Sequence, residues 1–515
     1  MGALFQKNWF MKKPLHPFLF AAYFVLALLG LNVDQVRLSV ALRSLVIVLL
    51  AAGLLWALLR LWLRHGQRAA VLASLLLALF FVYGHLYNAL EQAGIFLGRH
   101  RLLMPLWLVL AGVGTWLIVT RLRHFDQPTR ALNIIALLLL LFPAWQIASY
   151  EISLLSGRGQ PAAGAPALEN LRLPEGQPAP DVYFIIMDEY TRQDVLDATF
   201  DFDNTAFLDG LRELGFTVLD CSQSNYAQTE LVMTSILNMD YIDALGQFSS
   251  GSTDRTEIRN LIKDSAVENA FRSLGYSMVA FETGFNFSEF TDAEVYYTTS
   301  GGQGRVSGMN VFEVMLLRST AGLFLLDMAT VLPDFLVPDT SQPMDDKRTQ
   351  ILYNLEVLPR LPQEVASPKF VFVHILLPHP PFVFDAQGNA VNYPEQLDDA
   401  AYIEAYNQQI AFLNARMLPV LRAMIETSTT PPIIILQGDT GPGRVSHAGR
   451  MAILSAFYLP GGADLPAGLT PVNNFRLVFD RYFGTQLGLL PDASYFSLYT
   501  APFEFEEVPN TCIGE

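Results

Sequence analysis

The chain has 515 residues, room for two or more domains, and 51% of them are hydrophobic, with a mean hydropathy of +0.30. Its net charge of −16 is unevenly spread: residues 1–150 hold thirteen Lys and Arg against Asp34, Glu91 and Asp126, a local +10, which leaves residues 151–515 at −26. So acidic a second part argues against a nucleic-acid partner, which needs a basic surface.

Five apolar segments fill the first part, near residues 17–33, 44–63, 70–90, 102–120 and 131–150. Each is close to the ~20 residues that a helix needs to cross about 30 Å of hydrocarbon. Core helices would carry polar stripes, and these segments have almost none, so the pattern predicts five transmembrane helices over residues 1–150. The first segment follows Lys12-Lys13 without a small-residue cleavage site and reads as a retained signal-anchor.

Orientation follows the basic residues between spans. Lys7, Lys12 and Lys13, then Arg60, Arg64 and Arg68, then Arg121, Arg123 and Arg130 make nine charges on one side, against Arg37, Arg43, Arg99 and Arg101 on the other. The larger group belongs in the cytoplasm, which places the N-terminus there and everything after residue 150 outside. His85 and Glu91 fall near one end of a span rather than at its middle, so the helices read as an anchor, one that could also hold lipid, and not as a transport path. Cys221 and Cys512 could pair outside the cell or stay as two free thiols; spacing does not decide.

Residues 151–179, with "SGRGQPAAGAPALEN" and "LPEGQPAP", read as a linker. From residue 180 to 515 strands and helices alternate. "DVYFIIM" is a short apolar run, "NTAFLDGLRELGF" a helix with a Gly stop, and "FTVLDC" a strand. "VENAFRSLGYSMVAF" repeats helix and strand, "PKFVFVHILLP" is another buried run, and "YIEAYNQQIAFLNARMLPVLRAMIET" is a long amphipathic helix leading into "PPIIILQGD". "NNFRLVFDRYFG" and "YFSLYTAPFEFEEVP" read as a closing helix and edge strands. Such alternation predicts an α/β domain with a mostly parallel sheet, in which ligands bind beyond the carboxyl ends of the strands.

Polar groups gather at those ends. The first strand runs into Asp188-Glu189, "FVHILLPHPP" contains His374 and ends near His379, and "IIILQ" runs into Asp439; "SNYAQTELVMTS" adds the hydroxyls of Thr229, Thr234 and Ser235. Each alone reads as a cap or a turn. Together, two acids from distant parts of the chain would meet at one sheet edge, where a bound cation relieves their repulsion.

The order "PDVYFIIMDE", "DNTAFLDGLRELGFTVLDCSQSNYAQT", "FVFVHILLPHPPF", "IIILQGDTG" resembles the sulfatase-like branch of the alkaline phosphatase superfamily over roughly residues 180–460. With five membrane helices ahead of it, the layout is similar to lipoteichoic acid synthases and phosphoethanolamine transferases. The resemblance implies a metal-dependent hydrolase or transferase acting on phosphate or sulfate esters at the outer face of the membrane, with a lipid head group or envelope polymer as substrate. It implies Asp188, Glu189 and Asp439 as metal ligands, Thr229 as nucleophile and His379 as a contact to the ester. Family sulfatases need Cys or Ser followed by Pro and Arg, whereas Thr229 is followed by Glu230, Leu231 and Val232, so phosphate esters are favoured over sulfate esters.

The pattern breaks at two places. Residue 440 is Thr where the family has His or Asn, and Val232 stands where it has Ser. Either His447 coordinates instead, or oxygens of Asp188, Glu189, Thr229, Asp439 and Thr440 hold a hard cation such as Mg²⁺, Mn²⁺ or Ca²⁺ rather than zinc. Two functions remain open at this stage: a phosphotransferase or phosphodiesterase using one divalent metal and Thr229, and a catalytically degenerate ectodomain that binds or scaffolds.

Overall fold

The computed structural model describes residues 13–512 except 34–35, 37, 157–163, 174–175, 177, 300–308, 329–330, 334–336 and 395. Lys7, Lys12, Asp34 and Arg37 of the charge count, and parts of the expected linker, lie outside the described residues. The chain forms two compact units: residues 1–152 with 304–343, and residues 153–303 with 344–515. A stretch expected in the middle of the α/β domain therefore belongs to the helical unit.

The helical unit begins with α1 (His16–Leu31), α2 (Leu38–Leu63), α3 (Gly66–Gln92), α4 (His100–Trp116, continued by a π-helical turn to Arg121) and α5 (Asp126–Ser156). Among the described residues, α2, α3, α4 with its continuation, and α5 are long and apolar enough to cross a membrane. α1 is apolar but has only 16 residues, about 24 Å of helix. The five expected spans thus correspond to four full-length helices and one shorter one.

The other unit is built on a sheet whose strands are β1 (Val182–Met187), β2 (Thr217–Val218), β3 (Ser277–Phe281), β4 (Val295–Tyr297), β5 (Lys369–Ile375), β6 (Ile433–Gly438) and β7 (Ser455–Tyr458). Among the described residues their order is β2-β7-β6-β1-β5-β3-β4. β6, β1, β5, β3 and β4 run parallel, and β7 and β2 close one side with antiparallel pairing. The mostly parallel α/β sheet expected from the alternating pattern is the one observed.

Period-two alternation explains why the central strands are apolar throughout. Val182, Phe184 and Ile186 of β1 face one core; Tyr183, Ile185 and Met187 face the other. A sheet covered on both faces leaves its strand no solvent side, so polar residues can appear only where the strand ends. The first core also receives the helix Thr229–Asn238 through Leu231, Val232 and Ile236, and the second receives the long helix Asp399–Thr427 through Tyr406, Ile410 and Leu413. Behind β1, the buried Lys369 ammonium lies 2.5 Å from Asp181, pinning the entry of β5 to that of β1.

A hairpin of β8 (Tyr495–Leu498) and β9 (Ala501–Glu507) follows the helix Asn474–Tyr482. Cys221 and Cys512, left open by the sequence, form a disulfide across 291 residues that ties the chain's end to the loop before Thr229. Cys512→Ser is expected to lower the stability of this unit by about 2–5 kcal/mol, the usual worth of a native disulfide. Thermal unfolding of wild type and variant checks it, with the wild-type bond established by mass spectrometry without reductant.

Candidate metal centre

The strand register brings the acids together. β1 pairs with β6 so that Met187 lies beside Gly438, and the next residue of each strand is an aspartate. Asp188 and Asp439 thus leave the sheet side by side, two positions past Ile186 and Gln437, on the face that holds Val182 and Ile433. On the other neighbour, β5, His374 pairs with Ile186 and shares that face with Phe370 and Phe372. One ligand atom each from Asp188, His374 and Asp439 lies within 4.8 Å of the others, and all three residues are buried.

Two glycines flank Asp439 because backbone passes too close for a side chain. A Cβ on Gly438 would stand 2.2 Å from the Tyr190 carbonyl oxygen, and one on Gly441 2.2 Å from that of Gly449. "GDTG" is therefore a tightly packed turn that also sets the Asp439 carboxylate at the exit of its strand. On the opposite side, Glu189 adopts φ +61°, a left-handed conformation rare for a residue with a side chain, and its N–H donates to Asp439 Oδ1 at 2.9 Å.

Thr229 opens its helix over the same face. Its hydroxyl donates to Asp439 Oδ2 at 2.6 Å. Its neighbours are clamped: Glu230 accepts from Arg255 at 3.1 Å and Arg259 at 2.9 Å, and Gln228 accepts a 2.5 Å hydrogen bond from Arg255. Gln228 in turn donates to Ser497 Oγ at 2.8 Å and the Leu498 carbonyl at 3.1 Å, and Arg255 reaches the Tyr499 carbonyl at 3.0 Å. The terminal hairpin thus holds the residue before Thr229 in place.

Charge around the centre is strongly perturbed. Burial alone would raise Asp188, but His379, His374 and Lys347 outweigh it and hold that carboxyl well below the ordinary range. Burial and the neighbouring Asp188 push Asp439 up instead. For His374, burial acts downward and the Asp188 carboxylate, 3.5 Å away, prevails and raises it. Burial brings the half-buried Lys347 down to about 7 against the pull of Asp188 and Glu189; its ammonium donates to the carbonyls of His379 at 2.7 Å and Pro381 at 3.0 Å.

The donor set fits a divalent cation. Both ring nitrogens of His374 are buried without a hydrogen-bond partner, as are Glu189 Oε2 and Thr440 Oγ1. Unpartnered buried polar atoms are costly, and a cation shared by an imidazole and two carboxylates would satisfy one ring nitrogen of His374. Asp188 and Asp439 belong to this group as the sequence expected, and His374 joins them. Glu189 turns elsewhere: its Oε1 takes a 2.5 Å ion pair from Arg450, and His379 Nε2 stands 3.9 Å from that oxygen. His447 is not part of this group; its exposed ring stacks on Phe496 at 3.6 Å between centroids.

His374, Lys347 and Arg450 were not assigned roles from sequence. A histidine one residue from the end of an otherwise apolar buried strand was a readable signal for the first. The two cations lie in "MDDKRTQ" and "SHAGRM", where a solvated helix face is the simplest reading.

No protein-family model matches the chain, and no curated protein matches it. Solved structures are similar in layout. The C-terminal periplasmic domain of EptC from Escherichia coli, in complex with Zn, aligns at 11% identity over 66% of this chain and 96% of its own, with a TM-score of 0.43. The integral membrane protein lipooligosaccharide phosphoethanolamine transferase A from Neisseria meningitidis aligns at 10% identity over 91% of this chain and 94% of its own, TM-score 0.40. A 2-O GAG sulfatase aligns at 11% identity over 63% and 78%, TM-score 0.39. At these values the likeness is one of general layout, and the centre is read from its own geometry.

A carboxyl raised in the folded state stabilises the fold below its unfolded value of about 4 and stops doing so as pH rises past it. With metal chelated, wild type should therefore lose stability relative to Asp439→Asn as pH climbs above about 4. The same variant should bind Zn²⁺ or Mn²⁺ about 10- to 100-fold more weakly or worse. Scanning calorimetry across pH and titration calorimetry with each metal read the two effects.

Proposed function

We propose that this chain is a membrane-anchored hydrolase or transferase of phosphate esters, with its N-terminus in the cytoplasm, its sheet unit outside, and Thr229 as nucleophile. The observation that carries the reading is the Thr229 hydroxyl bonded at 2.6 Å to Asp439, itself grouped with Asp188 and with His374, whose buried ring nitrogens make no hydrogen bond. Asp188, His374 and Asp439 would hold one divalent cation, with Glu189 and Thr440 on the adjoining residues. When bound, such an ion supplies Lewis acidity and lowers the pKa of a nearby hydroxyl.

The chain's own groups divide the remaining work. Asp439 orients the Thr229 hydroxyl, and the buried clamp of Arg255 on Gln228 and Glu230 keeps the start of that helix fixed. A Thr229 Oγ–P bond forms as the P–O bond to the leaving group breaks; the Thr229 hydroxyl proton passes to Asp439 Oδ2, and His379, partly exposed at the rim, gives the leaving oxygen its proton. A water or an acceptor hydroxyl then takes the phosphoryl group from Thr229 and returns a proton to His379, while Thr229 Oγ recovers its own proton from Asp439. Lys347 and Arg450 set positive charge beside Asp188 and Glu189, where an anionic ester would dock. A lipid head group suits an enzyme held at the membrane by apolar helices.

A binding or scaffolding role is the second reading, and Thr440 is what favours it, since a neutral hydroxyl is a weak metal ligand. Full-length protein in lipid vesicles, incubated with a phospholipid panel and Mn²⁺ or Zn²⁺, then digested for mass spectrometry, separates the two. A phosphoryl-type mass increment on the Thr229 peptide is expected, absent in Thr229→Ala, with turnover in that variant at least about a thousandfold lower. Folded protein that takes up metal but forms no adduct and releases no product would leave the binding role standing.

A further inference from the structure

Residues 310–328 lie in sequence between β4 and the helix Gln342–Val357, yet they pack within the helical unit. They form two short helices, Val311–Ser319 and Leu323–Asp327, joined by a tight turn. Phe312 and Leu316 share a core with Ala21 of α1, Ala52 of α2 and Leu77 and Phe81 of α3, while Leu323 packs with Tyr83, Tyr87 and Leu103.

Depth follows from where these contacts fall. The Ala321 N–H donates to the Phe80 carbonyl at 2.8 Å. At Gly84 the backbones come so close that a Cβ would lie 2.4 Å from the Arg318 carbonyl oxygen. Phe80 and Gly84 precede the end of α3 by about 18 and 12 Å at 1.5 Å per residue. α3 itself is about 40 Å long against about 30 Å of hydrocarbon, so contacts at that depth lie at or inside the head-group boundary.

The polar groups of the segment are arranged for a medium poor in water. Asn310 and Glu313 form a reciprocal capping box, and Glu313 also takes a two-pronged ion pair from Arg43 of α2, one arm at 2.6 Å. Asp327 accepts from His100 Nε2 at 2.7 Å, and His100 Nδ1 pairs with the Tyr83 hydroxyl at 2.8 Å. Within the turn, the hydroxyls of Ser319 and Thr320 donate to carbonyls three residues back. Irregular backbone survives at membrane depth only when satisfied in this way. The most exposed apolar side chain of the segment is Val311, at 55%, while the exposed Asp327 carboxylate is held by His100.

We propose that residues 310–328 are a re-entrant element of the membrane anchor, seated at the boundary between lipid head groups and acyl chains, with lipid covering the outward side of Val311. The inference does not rest on the catalytic reading. It is tested with the full chain in vesicles of phosphatidylethanolamine and phosphatidylglycerol. An environment-sensitive dye on Val311→Cys should emit at blue-shifted wavelength and be quenched severalfold more by lipids brominated high on the acyl chain than by aqueous iodide, whereas dye on Leu489→Cys of the sheet unit should show the reverse. Unmodified protein photolabelled by a phospholipid bearing a diazirine on its acyl chain should carry adducts on peptides spanning residues 310–328, which keeps the test independent of the variants. Water-like emission with iodide quenching at position 311, or photoadducts confined to α1–α5, overturns the proposal.

Discussion

Two buried carboxylates that repel each other organise the sheet unit. Asp188 and Asp439 emerge from adjacent parallel strands in register, so the fold forces them together whatever else it does. Nothing about stability asks for that. A chain selected only for folding would end one of those strands in a neutral residue, as most buried strands do. The surrounding groups answer the same charge: His374 on the next strand, the Thr229 hydroxyl, the Glu189 amide, and Lys347, His379 and Arg450 beyond. The rigid helix starts and glycine turns around them are what keep the repulsion from being relaxed by movement.

Register also explains why these clustered residues come from such distant parts of the sequence. β5 lies between β1 and β3 in the sheet although it follows both along the chain, and β6 takes the other side of β1. Side-by-side placement then makes three residues, 188, 374 and 439, neighbours on one face by period-two alternation alone. The helix carrying Thr229 packs against that same face through Leu231, Val232 and Ile236, so its first residue overhangs the exit of the strands. Fold and site are here one geometric fact.

Much of this was legible in the chain. Apolar runs such as "VYFIIM" and "IIILQ", short and rich in β-formers, read as strands covered on both faces, and an acid at the end of each marked the edge where ligands gather in such sheets. Asp188 and Asp439 follow from that pattern, whereas Thr229 was set apart from Thr234 and Ser235 only by the family resemblance. His374 was in view but hidden by its setting, since a histidine within a strand reads as a core residue until the register is known. The partnership of Cys221 with Cys512 spans 291 residues, and no local pattern carries it. Residues 310–328 fell inside the range expected for the α/β domain without any element being named there, and only the contacts with α3 place them in the helical unit. Lys347 and Arg450 sit among other charges, where sequence offers no distinction between a solvated cation and one aimed at a carboxylate.

The hairpin at the chain's end has a bearing on the order of events during synthesis. Gln228 is held by Ser497 and Leu498, Arg255 by Tyr499, and the loop before them by Cys512. The ribosome supplies those last residues only after every strand of the sheet has been made. A nascent polypeptide therefore possesses its acids and its threonine long before it possesses the brace that fixes them, and the helix that Thr229 opens is held at its start only once those residues have emerged. Truncation within the final twenty residues would leave the seven sheet strands intact in sequence and the brace incomplete.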